Sequence, residues 1–72
     1  MRIKVKHRGF YNGHHDKKVC LLGENNVLEV LDSTPDERYI CRYGKQLVQV
    51  EFENCDETNE EPTAYQELWT LR

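Results

Sequence analysis

The stretch RYICRYGKQLVQVEFE, residues 38–53, alternates apolar and polar side chains on both sides of Gly44-Lys45. Alternation with a period of two is typical of a strand whose two faces differ in burial. Glycine supplies the positive φ that a type II′ turn requires at its first position, so the stretch predicts a hairpin with a two-residue connection. The predicted core face of this hairpin carries Tyr39, Cys41, Val48, Val50 and Phe52. The opposite face is a mixed surface of Ile40, Arg42, Leu47, Gln49 and Glu51.

Shorter stretches on the N-terminal side show the same period. RIKVKHR, residues 2–8, places Ile3 and Val5 on one face and basic side chains on the other. The runs KKVCLL and VLEVLD flank the turn cluster GENN, which predicts a second hairpin over residues 17–32. Pro35 in STPDE fits the second position of a type I turn that follows this hairpin.

The remaining segments are less regular. Residues 9–18 are predicted to form a loop, with Asn12-Gly13 as its turn signal. Residues 54–63 combine several acids with one proline and no base, so they are predicted to be an acidic solvated loop within the domain. The tail AYQELWTLR fits both a helical and a strand period. We therefore expect one short helical turn near residues 63–68, leading into a last strand.

These elements together predict an all-β, mainly antiparallel fold, as a small SH3-like barrel or a strongly bent five-stranded sheet. The stretch VLEVLDSTPDERYICRYGKQLVQVEFE, residues 27–53, resembles the central strands of small SH3-like barrels. The resemblance concerns architecture and implies no activity. Pairing of the terminal strand with the first one would remove sheet edges that otherwise invite aggregation.

Length and composition limit the class of protein. The chain has 72 residues, which predicts a single small domain over 1–72. No apolar run approaches the roughly 18 residues of a membrane span, and MRIKVKHRGF lacks the continuous apolar region of a signal peptide. The three cysteines, Cys20, Cys41 and Cys55, form no CxxC pair and indicate reduced thiols. We therefore expect a cytoplasmic protein that makes no membrane contact.

Charge is unevenly distributed along the chain, whose formal net charge is −3. Residues 1–19 hold six basic residues against one acid, whereas residues 20–72 hold four basic residues against twelve acids. Such segregation bears on partner choice and electrostatic steering more than on fold.

Nucleic-acid binding is one function that this charge distribution suggests. Alternate residues of the first strand form a cationic row, and nearby aromatic side chains could stack on bases. The predicted basic face consists of Arg2, Lys4, Lys6, Arg8, Phe10, Tyr11, Lys17 and Lys18. Lysines on an edge strand also serve to prevent edge-to-edge pairing, so the row has a purely structural explanation as well.

A metal site is a lesser alternative, centred on the adjacent histidines His14 and His15. Zinc accepts histidine, cysteine and carboxylate ligands, but it needs three or four of them to converge. The candidate ligands are His7, His14, His15, Asp16 and Cys20. No second pair with ligand spacing is present to complete such a site.

The sequence favours a non-enzymatic protein–protein interaction module, such as an adaptor, regulator or inhibitor subunit. None of the GxSxG, P-loop or HExxH patterns of catalysis occurs, and no cofactor is expected. An acidic segment could dock a basic partner, because opposite charge raises the association rate and selects partners. The predicted acidic surface consists of Glu53, Asp56, Glu57, Glu60 and Glu61. The partner would be another protein or a second copy of the chain, with nucleic acid as the second choice.

Overall fold

A computed structural model describes residues 1–14, 18–64 and 69–71 of the chain. Along these residues every strand pairing is antiparallel, which confirms the predicted all-β class. The strands are β1 (Arg2–Val5), β2 (Gly9–Asn12), β3 (Lys18–Leu22), β4 (Val27–Ser33), β5 (Arg38–Tyr43), β6 (Gln46–Glu51), β7 (Cys55–Thr58) and β8 (Trp69–Leu71). A single 3₁₀ turn, Phe52–Asn54, separates β6 from β7. A five-stranded sheet has the order β6-β5-β4-β1-β7, and a three-stranded sheet has the order β2-β3-β8.

The hairpin β5–β6 forms in the predicted register. Cys41 pairs with Val48 across a connection in which Gly44 has φ 64°. Phe52 is an exception to the predicted core face, because β6 ends at Glu51 and the 3₁₀ turn breaks the alternation. Its side chain is 37% exposed and its ring lies 4.3 Å from that of Tyr39.

The first strand lies in the middle of the five-stranded sheet, between β4 and β7. On one side the Val5 amide donates to the Asn26 carbonyl at 2.8 Å, and on the other the Lys6 amide donates to the Asn54 carbonyl at 2.8 Å. Ile3 is fully buried, as is Val5. Because β7 is the neighbour of β1, the expected pairing of the terminal strand with the first one is wrong. The last strand, β8, pairs with β3 instead.

The predicted hairpin over residues 17–32 is wrong, because β3 and β4 belong to different sheets. Asn25 has φ 71°, and its amide donates to the Val5 carbonyl at 2.8 Å. The turn between β3 and β4 is thus bound to the main chain of β1, which directs β4 onto β1 rather than back onto β3.

Two predicted loops contain strands. Residues 9–18 include β2, whose partner is β3, so this part of the chain forms the N-terminal hairpin. Residues 54–63 include β7, which pairs with β1. Both segments form strands because they pair with another strand, and local composition alone does not predict such pairing.

The predicted helical turn near residues 63–68 falls mostly outside the described part of the chain. Residues 63 and 64 are not helical. Thr63 instead forms two hydrogen bonds with Val27, the first residue of β4. Its amide donates to the Val27 carbonyl at 2.9 Å, and its hydroxyl oxygen accepts from the Val27 amide at 2.8 Å.

The buried core lies between the two sheets. Its members are Ile3, Val5, Cys20, Leu22, Leu28, Cys41, Tyr43, Val48, Val50 and Cys55. The sheets also meet edge to edge at an isolated bridge between Gly13 and Val48, where the His14 amide donates to the Leu47 carbonyl at 2.9 Å. Within the described residues no further bridge joins β2 to β6.

We expect Ile3→Ala to lower the free energy of unfolding by about 2–5 kcal/mol, because it leaves a cavity in the central strand. Urea denaturation monitored by circular dichroism measures this loss. The matched control is Leu31→Ala, since Leu31 is 50% exposed and its truncation should cost little. Equal losses for the two variants would contradict the central position of β1.

Candidate functional site

The basic first strand and the acidic segment lie side by side and form ion pairs. The register of β1 and β7 places Lys4 opposite Asp56. Each of three basic side chains reaches a carboxylate: Arg2 Nη1 lies 4.0 Å from Glu61, Lys4 contacts Glu60, and Lys6 Nζ lies 3.5 Å from Asp56. The basic and acidic segments that are far apart in the sequence therefore form ion pairs with each other in the folded chain.

The pair between Lys4 and Glu60 changes the carboxylate's ionisation. A hydrogen bond from Lys4 is the largest cause of a lowered pKa at Glu60, and a second one from the Thr58 hydroxyl, 3.1 Å away, acts in the same direction. Arg2 adds a bond from Nη1 to the Glu60 carbonyl at 3.2 Å. Because these groups are exposed, we regard them as a charge-neutralising contact rather than as a major source of stability.

The rest of the predicted basic face does not continue the row along a single strand. Strand β1 ends at Val5, and a bend separates it from Arg8, which is exposed. Phe10 in β2 is 59% exposed, whereas the Tyr11 hydroxyl donates to the His7 carbonyl at 2.6 Å. The other two members are Lys18, which begins β3, and Lys17, which lies outside the described residues.

The candidate metal ligands occupy different surroundings. His7 is exposed, His14 is half-buried near β6, and Cys20 is buried in the core. His15 and Asp16 lie outside the described residues. Within the part of the chain that the structure describes, no three His, Cys, Asp or Glu side chains group closely enough to hold a metal ion.

A groove lies between β2 and the end of β6, and sequence reasoning did not identify it. Its volume is about 250 Å³. The lining residues are Gly9, Phe10, Tyr11, Asn12, Arg38, Gln49, Glu51 and Asn54. Only two of these, Phe10 and Tyr11, were among the candidate site residues. No local signal predicts the groove, because the strands that form it are far apart in sequence.

A smaller cavity of about 120 Å³ adjoins the groove through Glu51, which lines both. The other residues around the smaller cavity are Asp36, Glu37, Phe52 and Glu53. This end of the β5–β6 hairpin therefore carries an exposed aromatic ring surrounded by carboxylates.

One basic side chain, Arg38, lies among these carboxylates. Its Nε lies 3.6 Å from the Asp36 carboxylate, and its Nη1 donates to the Gln49 side-chain oxygen at 3.3 Å. A hydrogen bond from the Thr34 hydroxyl is the main reason that the Asp36 pKa is lowered, and Arg38 lowers it further. Arg38 is thus already compensated within the chain.

The three thiols are poor nucleophiles. Burial raises the pKa of Cys41 to about 12 and that of Cys20 to about 11. Burial, assisted by the negative charge of Asp56, raises the pKa of Cys55 to about 11. A thiol must be ionised to attack an electrophile, so these side chains act as small apolar core residues.

Comparison with known proteins identifies no relative: no family model, curated protein or solved structure matches this chain. Among the described residues no helix has the length and apolarity needed to cross a membrane.

We expect the thiols of the folded protein to resist alkylation by iodoacetamide at pH 8, because their raised pKa values keep them protonated. Mass spectrometry should find modification only after unfolding in guanidinium chloride. Rapid modification of the folded chain at Cys41 would contradict the buried position of that side chain.

We expect Lys4→Gln to raise the pKa of Glu60 toward its ordinary value, because the variant removes the charged hydrogen-bond donor. The lowered pKa in the folded state favours folding above the unfolded pKa, and this contribution is lost as pH falls through the folded pKa. NMR titration of the side-chain carboxyl carbons measures the change. Lys45→Gln, at the exposed β5–β6 turn, is the control and should leave the Glu60 pKa unchanged.

Proposed function

We propose that this protein is a non-enzymatic interaction module that binds another protein through the surface around Glu51. The observation that carries the proposal is the arrangement of two exposed aromatic side chains. Phe10 and Glu51 both line the groove, and Phe52 and Glu51 both line the adjoining cavity. Their exposed fractions are 59% and 37%.

An exposed aromatic residue is costly to leave in water and valuable in an interface. Aromatic residues are enriched in interfaces between proteins, where they supply much of the contact area and of the binding energy. The carboxylates around Phe52 would lie at the edge of such a contact, where charge governs association rate and partner choice. The combination suits recognition of a protein surface.

The ion pairs of the first strand weigh against nucleic acid as the partner. Binding to nucleic acid depends on lysine and arginine side chains that neutralise phosphates and release the counterions condensed on the nucleic acid. Arg2, Lys4 and Lys6 are each within 4.0 Å of a carboxylate of the same chain. A phosphate would have to compete with these carboxylates, and they would repel it.

The thiols support a binding role rather than catalysis. The raised pKa values of the three cysteines remove the most reactive nucleophiles that the sequence offered.

We expect Phe10→Ser to weaken binding of the natural partner at least about tenfold, or about 1.4 kcal/mol, because it removes an exposed anchor. Capture from an extract of the source cells, followed by titration calorimetry with the recovered partner, measures the change. Leu31→Ser is the control, since Leu31 is similarly exposed but lines neither the groove nor the adjoining cavity.

Two other assays complete this test. Light scattering over a range of concentrations detects a second copy of the chain as the partner. A gel shift that weakens steeply with salt, and that Lys4→Glu with Lys6→Glu abolishes, would replace the proposal with nucleic-acid binding. Absence of any partner and of self-association would overturn it.

A further inference from the structure

The main chain at the end of β6 faces the groove. The Leu47 carbonyl accepts from the His14 amide of the β2 side, so it points away from β5. Main-chain groups alternate in direction along a strand, and those of Gln49 and Glu51 therefore point the same way. The neighbouring Phe52 amide donates to the Glu37 carbonyl at 3.0 Å, which independently fixes the Glu51 amide on the opposite, groove side.

The bridge between β2 and β6 is not continued along the groove. Gly13 and Val48 form an isolated bridge, and among the described residues no bridge follows at Tyr11 and Val50. The groove of about 250 Å³ lies there and is lined by residues of both strands. The Gln49 carbonyl and the Glu51 amide thus face this groove.

Acidic side chains outnumber basic ones beside this edge, where Arg38 lies opposite Glu51. Arg38 is paired with Asp36. By contrast, no ion pair joins Glu37, Glu51 or Glu53 to a basic side chain within the described ranges. The acidic residues in and after β7 differ, because they form ion pairs with basic side chains. These pairs are Asp56 with Lys6, Glu60 with Lys4, and Glu61 with Arg2.

We propose that an extended peptide carrying lysine or arginine side chains docks in this groove and adds to the end of β6. Its main chain would bond to the Gln49 carbonyl and the Glu51 amide, which is the mode by which peptides extend sheet edges. Its cationic side chains would meet Glu37, Glu51 and Glu53. The inference rests on the proposed function and names the class of partner for the same surface.

The spacing of such a peptide suits the surface. Alternate residues of an extended chain project to the same side, about 6.6 Å apart. Basic residues at every second position would therefore all face the side on which Glu37, Glu51 and Glu53 lie. An ammonium or guanidinium group close to the exposed face of Phe52 would gain a cation–π attraction in addition to the nearby carboxylates. A peptide with basic residues at every second position is therefore the natural probe.

The test uses a fluorescein-labelled heptapeptide of alternating lysine and valine, with an alternating glutamate and valine peptide as its counterpart. Fluorescence anisotropy measures binding to the full chain, and NMR locates it from amide shifts. We expect saturable binding of the lysine peptide alone, with the largest shifts at Gln49 and Glu51. Shifts confined to β7 would overturn the placement.

Two pairs of variants separate charge from main-chain pairing. Glu51→Lys with Glu53→Lys should weaken binding at least tenfold, whereas Glu24→Lys with Glu57→Lys makes the same change in net charge elsewhere and should not. Glu51→Pro removes the amide that faces the groove, and the Glu51 φ of −64° already suits proline. It should weaken binding further than Glu51→Gln, which keeps the amide.

The outcomes distinguish this inference from the proposed function. Urea midpoints within experimental error of the unmodified chain show that the variants fold. If Phe10→Ser weakens the natural partner but the lysine peptide does not bind, the proposed function stands and the strand-addition inference fails. Equal effects of Glu51→Pro and Glu51→Gln would likewise overturn main-chain pairing.

Discussion

Backbone hydrogen bonding on both sides of β1 holds the five-stranded sheet together. Bonds to Asn26 on one side and to Asn54 on the other leave this four-residue strand without an open edge. The same pairings bury Ile3 and Val5 and bring β4 and β7 to fixed positions. A strand that read in isolation as a charged outer edge is instead the centre of the fold, and the hairpin β5–β6 extends from it through β4.

Position at the centre of the sheet also determines which charges form ion pairs within the chain. Because β7 lies beside β1, the acidic segment that follows neutralises the basic strand within the chain. Three carboxylates that form no ion pair within the described residues, Glu37, Glu51 and Glu53, belong to another surface, around Phe52. The charge segregation of the sequence thus belongs to two segments that form ion pairs with each other, while the exposed aromatic residues and an incompletely paired strand end support the surface that we propose.

Local sequence predicted the hairpin β5–β6 in its register, because Gly44 and strict alternation constrain neighbouring residues. It predicted the position of Pro35 as well, since the Glu37 amide donates to the Thr34 carbonyl across that turn. Strand order was not predictable in the same way. Residues 23–26 have the composition of a hairpin turn. Their hydrogen bonds to Val5 nevertheless place β4 beside β1 in the five-stranded sheet, whereas β3 belongs to the three-stranded sheet. The groove depends on contact between β2 and β6. The spacing of apolar and polar residues within each strand does not indicate contacts between segments so distant in sequence.

The central place of β1 has a consequence for how the chain acquires its structure. Arg2 is opposite Thr58, so one side of the first strand cannot be completed until most of the chain has been synthesised. Pairing over such long separations requires closure of large loops, which slows folding and prolongs exposure of unpaired strands. In that interval the alternating cations of β1 oppose association between nascent chains. Charges that are neutralised in the finished protein would thus protect it while it is being made.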